Sequence, residues 1–344
     1  MPIKNFFNNH SDHRKPFKGF VILAFLLFST HTAWAQDDGT SDSQGQSSYP
    51  DLQPAGFFQG HFSAYDHANR PSEFSIHRAR FGFAGDISNN LQLNLIVGAM
   101  EPPNNSPALV NAFADFTIDP LFNLRAGQFL LPFGLEGPES IIKNPAIERA
   151  VSTRRMNPFR MFRDIGAMAF GTYDFVRYRV AVVNGNGANL AETQGGKDIL
   201  GRMDFDLTDE LMAGFSGHVG TYEAGPYEQL NRQRWAIHAQ YQNNPLLVRG
   251  EMMLHDREIN NTTREQSHGG YLLAKYKMKN KWEVIGRWDY HNPENTDNTY
   301  RGVTLGTNYQ LSGLSSLSLN GTVYTEHDGS SPHYMLNIQL QLVL

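Results

Sequence analysis

The sequence predicts an all-β chain: a transmembrane antiparallel β-barrel of about sixteen strands with a long, inward-folded third outer loop. Two observations predict it. From residue 55 onward nearly every stretch alternates apolar and polar residues with period two, so each strand has one apolar and one polar face. The connections between these stretches alternate short and long, the rhythm of tight turns at one rim of a barrel and longer loops at the other. Cysteine is absent, which removes disulfides and thiolate chemistry. No run beyond the N-terminus approaches the ~18 apolar residues of a helical span.

Residues 1–35 read as a secretion signal. Lys4, Arg14, Lys15 and Lys18 precede an apolar run over 20–28, and Ala33-Trp34-Ala35 offers the small residues of a cleavage site before Gln36. The apolar run is roughly half the ~20 residues a membrane anchor needs. Residues 36–54, rich in Asp, Ser, Gln and Gly, form a flexible lead-in, and 55–344 form the barrel. Loss of 1–35 removes four Lys/Arg and one Asp and takes the formal charge from -5 to about -8. A chain this acidic is a poor nucleic-acid ligand.

The strands are expected at roughly 55–66, 73–87, 90–100, 107–119, 121–129, 164–174, 176–184, 197–206, 211–222, 231–243, 245–256, 267–278, 281–291, 299–311, 315–326 and 333–344. Most are near the ~9–11 residues of a tilted membrane strand. The last is the clearest: Ile338, Leu340, Leu342 and Leu344 share one face, and Asn337, Gln339 and Gln341 the other. Tyrosines and tryptophans near strand ends, among them Tyr173, Tyr241, Trp282, Tyr300 and Tyr334, fit interfacial girdles. Longer connections are expected at 101–106, 185–196, 223–230, 257–266 and 292–298, and the one short helix at 145–150.

A barrel of this size encloses an aqueous channel, so its lining decides function. With Phe81 and Phe83 toward lipid, period two turns Arg78 and Arg80 inward. The same rule turns inward Arg125, Arg177, Arg179, Arg202, Arg234, Arg249, Lys275, Lys277 and Arg287, against Asp115, Asp204, Asp206, Glu251, Glu283 and Asp289. Eleven cations against six acids leave the wall about +5, opposite to the chain as a whole. The connection 130–163 is far longer than an ordinary loop. Its Phe133, Leu135, Ile141, Ile142, Phe159, Met161 and Phe162 would be hidden by folding into the barrel, bringing Lys143, Arg149, Arg154, Arg155, Arg160 and Arg163 against Glu136, Glu139 and Glu148. Guanidinium forks pair with phosphate or carboxylate oxygens and stay charged.

Other signals are weak. Asn184-Gly185-Asn186-Gly187 lacks the strand-to-helix setting of a nucleotide loop, and the acids at 204–210 lack the glycine of a calcium loop. His218, His238 and His255 read as polar lining without ligand-like spacing, so neither metal nor cofactor is expected. No nucleophile motif is visible.

Several segments resemble the phosphate-selective porin O and P family. They are Ile76-His77-Arg78-Ala79-Arg80-Phe81; Ala126-Gly127-Gln128-Phe129 running on to Phe133-Gly134-Leu135-Glu136; Glu148-Arg149; Arg163-Asp164-Ile165-Gly166; Asn184-Gly185; Gly201-Arg202-Met203-Asp204-Phe205; and Gly306-Thr307-Asn308-Tyr309. The resemblance implies a sixteen-stranded, usually trimeric barrel in the Gram-negative outer membrane, among lipid and lipopolysaccharide, passing small anions by diffusion, often phosphate or polyphosphate. Members selective for phosphate commonly carry a lysine after Gly-Gln-Phe, where this chain has Leu130 and Leu131, so anion preference carries over better than phosphate specificity.

The expected anion-binding residues are Arg78, Arg80, Arg125, Arg177, Arg179, Arg202 and Arg287 on the wall and Lys143, Arg149, Arg154, Arg155 and Arg163 in the loop. An anion-preferring porin is the leading expectation. A general, weakly selective porin is its rival, and an enzyme on a barrel scaffold or a non-conducting adhesin the readings from other classes.

Overall fold

The computed structural model describes residues 49–344 other than 67–69, 102–105, 193–194, 226–227, 261–262, 295–297 and 328. The expected signal (1–35) and the lead-in as far as 48 lie outside the described residues. Sixteen strands form: β1 (Asp51–Tyr65), β2 (Glu73–Ser88), β3 (Leu91–Met100), β4 (Ala108–Asp119), β5 (Phe122–Leu130), β6 (Arg163–Tyr173), β7 (Val176–Val183) and β8 (Asp198–Asp206) in the first half. The second half holds β9 (Leu211–Gly225), β10 (Glu228–Asn243), β11 (Leu246–Asn260), β12 (Thr263–Lys277), β13 (Trp282–Pro293), β14 (Tyr300–Ser312), β15 (Ser315–Thr325) and β16 (His333–Val343). Each strand pairs antiparallel with the next, and β1 closes the barrel on β16, from Phe57 opposite Val343 to Tyr65 opposite Met335.

The two faces follow the alternation. On β11, Met252 and Leu254 are 67% and 59% exposed, whereas Arg249 and Glu251 are buried. On β16, Leu336, Leu340 and Leu342 are exposed, and Asn337, Gln339 and Gln341 are buried. Apolar outside and polar inside reverses the soluble arrangement and is what a lipid-facing wall requires.

Three expectations are corrected. First, β1 begins at Asp51, so the strand takes in residues 51–54 of the expected lead-in. Second, the long connections expected at 223–230 and 257–266 are mostly strand, because β9 to β12 run on to Gly225, from Glu228, to Asn260 and from Thr263. These extensions are mostly polar, with Leu230 and Ile259 the large apolar exceptions, so little alternation marks them. Cross-strand pairs hold them instead, Arg257 with Glu265 at 2.5 Å and Arg264 with Asp256 at 2.7 Å and Glu258 at 2.9 Å. Third, residues 145–150 are not helical. The short helix α1 is Val151–Arg155, and single 3-10 turns lie at Ile141–Lys143 and Arg160–Phe162. Wall side chains hold 145–150 out of a helix: the Asn308 amide donates to the Pro145 carbonyl (2.9 Å), and the Ile147 N–H donates to Asn320 (2.9 Å).

A β-bulge in β2 sets the side on which His77 emerges. Gln59 of β1 faces Arg78, but the next residue, Gly60, faces Ile76. His77 is the extra residue, so it points to the same side as Arg78 rather than the opposite one.

Candidate functional site

The segment between β5 and β6 hydrogen-bonds to the polar wall face of eight other strands. The Gly134 N–H donates to Ser216 Oγ (2.8 Å), Leu135 N–H to Glu251 Oε1 (2.9 Å) and Val151 N–H to Asp289 Oδ1 (3.0 Å). The Arg202 guanidinium donates to the Gly134 carbonyl, Arg234 to Met156 O (3.1 Å), Arg287 to Glu148 O (2.6 Å) and Gln341 to Ile142 O (3.1 Å). Irregular backbone has no ladder to satisfy its carbonyls and N–H groups, so side chains of the wall supply partners.

Packing completes the attachment. Phe133, Met156 and Phe159 lie in one buried cluster with Met168, Ala181, Val183, Leu200, Ala236 and Met253 of the wall. Here the inward face is apolar, a change from arginine to aliphatic already within β7, where Arg177 and Arg179 are followed by Ala181 and Val183. Arg234 is fully buried, with Phe133 4.3 Å and Phe159 5.2 Å from its guanidinium.

The motif Phe133-Gly134-Leu135-Glu136 is legible at this contact. Gly134 has φ +72°, and a Cβ there would lie 2.0 Å from Glu251 Oε1. Only glycine lets the chain turn and approach the carboxylate that Leu135 then caps. Glu136 in turn accepts from the Ala150 N–H (2.8 Å), tying the two arms of the segment together.

Two cavities border the segment. One, about 1280 Å³, is lined by Leu130, Pro132 and Leu135 and reaches the short β8–β9 turn. We call it the turn-side cavity. The other, about 840 Å³, is lined by residues from Glu139 to Arg163 and reaches Tyr65, Arg70 and Glu326 at the opposite rim. This is the loop-side cavity. The expected site residues do not gather in one place. Arg125, Arg177, Arg179 and Arg202 line the turn-side cavity. Arg78, Arg80, Arg149, Arg154, Arg155 and Arg163 line the loop-side one. Lys143 lies apart, in a smaller cavity with Lys275 and Glu283, and Arg287 is buried against Asp289 at 2.7 Å.

The turn-side arginines are ion-paired. Arg125 grips Asp115 with two bonds of 2.6 Å, Arg177 grips Asp206 at 2.9 and 2.6 Å, and Arg179 and Arg202 share Asp204 at 3.1 and 2.8 Å. Arg80 is likewise held by Glu101 (2.6 and 2.7 Å) and Arg155 by Glu326 (2.9 Å).

Four loop-side arginines donate instead to neutral acceptors: Arg78 to Gln59 (3.0 Å), Arg149 to the Glu136 carbonyl (3.1 Å), Arg154 to the Arg149 carbonyl (3.0 Å), and Arg163 to Asn111 and the Met161 carbonyl (both 2.8 Å). Among the described residues none of the four donates to a carboxylate. Burial lowers the Arg149 guanidinium to about 10 against the opposing pull of Glu136, so it remains protonated at neutral pH. Burial would raise the Glu148 carboxyl, but the His77 imidazole 3.0 Å away and the charges of Arg78 and Arg154 hold it well below the usual range.

Sequence reasoning missed Glu101 and Asp198 as counter-charges. Asp198, paired with Arg232 (2.8 Å), shares the parity of Arg202 and Asp204, so period two could have found it. Glu101 could not be found that way, since it follows β3 and reaches Arg80 through space that Gly98 leaves open. Tyr300, expected in a girdle, is buried in the loop-side cavity and stacked on Tyr324. His61, His77 and Glu148 also converge there, their ligand atoms within 4.8 Å of one another.

Known proteins share this architecture. OmpT of Vibrio cholerae in its trimer form aligns with TM-score 0.66 at 9% identity over 86% of this chain and 99% of that one. The anion-selective porin from Comamonas acidovorans gives 0.65 at 12% over the same shares, and the channel DcaP of Acinetobacter baumannii 0.63 at 11% over 87% and 99%. At such identities the likeness is one of fold. An uncharacterized protein of Aquifex aeolicus (strain VF5) is 26% identical over 162 residues, 40% of this chain and 36% of that protein, so the chain spans about a third of this curated relative's length. The family description "Phosphate-selective porin O and P" matches residues 51–224, half of the chain, from β1 into β9 and including the whole β5–β6 segment. The chain therefore belongs to the phosphate-selective porin O and P family, porins of the Gram-negative outer membrane.

Proposed function

We propose that this porin is a diffusion channel preferring anions, with the β5–β6 segment inside the barrel as its constriction and the loop-side cavity as its selective zone. One observation carries the reading: Arg78, Arg149, Arg154 and Arg163 donate to neutral acceptors, so most of their charge, offset in part by Glu148 beside Arg78 and Arg154, is left for a passing solute. Two unit charges 4 Å apart interact by about 4 kcal/mol at an effective dielectric of ~20, and a ring of cations therefore favours anions and excludes cations.

The solutes that suit forked donors are oxyanions, phosphate and polyphosphate among them. Leu130 and Leu131 stand where phosphate-selective relatives commonly have lysine, so passage goes with weak binding, at about the millimolar level or −4 kcal/mol, rather than tight capture. The Comamonas acidovorans porin, described as anion-selective, supports this reading at the level of a shared fold. The trimeric OmpT supports assembly as a homotrimer. Secretion by a signal over 1–35 completes the proposal.

The ion-paired turn-side arginines favour a second reading, a general, weakly selective porin. The test is the reversal potential of the refolded protein in planar bilayers under a KCl gradient. We expect clear anion preference. A potential near zero selects the second reading, a cation-selective potential overturns the first, and no conductance from a folded barrel overturns both.

A further inference from the structure

The loop-side cavity holds a group of side chains that anion passage does not use. His61 of β1 and His77 of β2 stack with ring centroids 4.2 Å apart and planes 8° from parallel. The bulge in β2 creates this stack, because without it His77 would point to the lipid face. Glu148 arrives from the β5–β6 segment, its Oε1 3.0 Å from His77 Nε2. The side chains of His77 and Glu148 are 22% and 24% exposed and line the cavity, while His61 backs them from a buried position.

We propose that His61, His77 and Glu148 form a binding site for a borderline-soft divalent transition ion, of which Zn2+ is the representative. Two imidazole nitrogens and one carboxylate oxygen are a donor set that zinc takes, with a fourth position left for a solution ligand. Calcium and magnesium prefer six or more oxygens and have little use for imidazole. Bonds of about 2.1 Å around a tetrahedral ion space the ligand atoms about 3.4 Å apart. The three ligand atoms lie within 4.8 Å of one another, and because stacked rings aim their in-plane lone pairs parallel, binding requires at least one imidazole to turn out of the stack. His61 Nε2 lies 2.6 Å from Gln339 Oε1, so the ion competes with this bond. That competition and the nearby charges of Arg78 and Arg154 weaken the affinity. The same charges give the site a further property. A divalent ion against one carboxylate leaves a net positive centre beside two guanidiniums, so the open position recruits an anion. The bound ion then holds in the cavity a solute that would otherwise pass.

The test titrates ZnCl2 into the folded protein in detergent by calorimetry and locates the ion by anomalous scattering at the zinc edge. The expected result is one ion per chain on the three residues, with affinity falling at least tenfold in His77→Asn and in Glu148→Gln, each checked for native barrel migration. In bilayers in KCl, ZnCl2 should reduce the wild-type current in a saturable way, and CaCl2 at the same concentration should not. No zinc binding by the wild type, binding unchanged in both variants, zinc located elsewhere, or equal binding of calcium would overturn the proposal. The calorimetric and crystallographic readouts do not require conduction, so they stand apart from any failure of the porin reading.

Discussion

On the turn side of the β5–β6 segment, Arg125, Arg177, Arg179 and Arg202 each meet a carboxylate on the same or the adjoining strand. On the loop side, Arg78, Arg149, Arg154 and Arg163 meet amide and backbone oxygens. The residue type is the same, and the electrostatic outcome differs. A regular antiparallel wall puts residues of equal parity beside one another, so an acid on the next strand closes the pair within ~5 Å. An irregular segment brings its own unpaired carbonyls, which satisfy guanidinium N–H groups without cancelling their charge. Counting charges on a barrel wall thus overstates the field wherever regular sheet continues and understates it where a loop intrudes.

The largest expected effect comes from removing what divides the two cavities. Deleting most of 136–158 should raise single-channel conductance several-fold. An unchanged conductance, with the segment open to external protease in the intact protein, would mean that it is no constriction. Next is charge reversal on the loop side. Arg154→Glu combined with Arg155→Glu should move the reversal potential toward cations and abolish block of chloride current by phosphate, whereas persistence of both would move the selective zone elsewhere.

A packing change should be smaller in current and visible in stability. Phe159→Ala empties part of the cluster shared with Met156, Val183 and Leu200, at a cost of about 3–5 kcal/mol. A lower denaturation midpoint and greater protease sensitivity of the segment would register it, and a wild-type midpoint would show that the cluster does not anchor the segment. The smallest effect is the most pointed. Arg125→Met alone uncovers Asp115 and should shift the reversal potential toward cations, but Arg125→Met with Asp115→Leu removes a closed pair and should leave it where it was. A shift in the double variant as large as in the single one would erase the distinction between the two sides.

How far the site could be read in advance varies residue by residue. Arg125 and Asp115 could be given faces because β4 and β5 alternate without interruption between them. His77 could not, because a one-residue bulge reverses parity and leaves no mark in composition. Tyr300 looked like an interfacial tyrosine because it stands near the start of an expected strand. Its burial follows from the stack with Tyr324 on β15, a contact across strands. The apolar inner face of β7 and β8, at Ala181, Val183 and Leu200, was visible in the alternation as a lapse of polarity, and its meaning came only with the segment that covers it.

The sequence by itself determined the barrel: the number of strands, their antiparallel order and, wherever the alternation runs uninterrupted, the face a side chain takes. Those follow from period-two patterning and turn residues, which act over a few neighbours along the chain. Only the tertiary structure decided which arginines keep their charge, where Glu101 and Glu148 find their partners, and how the stretch between β5 and β6 docks against the barrel wall. Such contacts join residues tens to hundreds of positions apart, from Arg80 with Glu101 to Ile142 with Gln341. A cation's effective charge depends on whichever acceptor lies within ~3 Å, and local pattern carries no record of that.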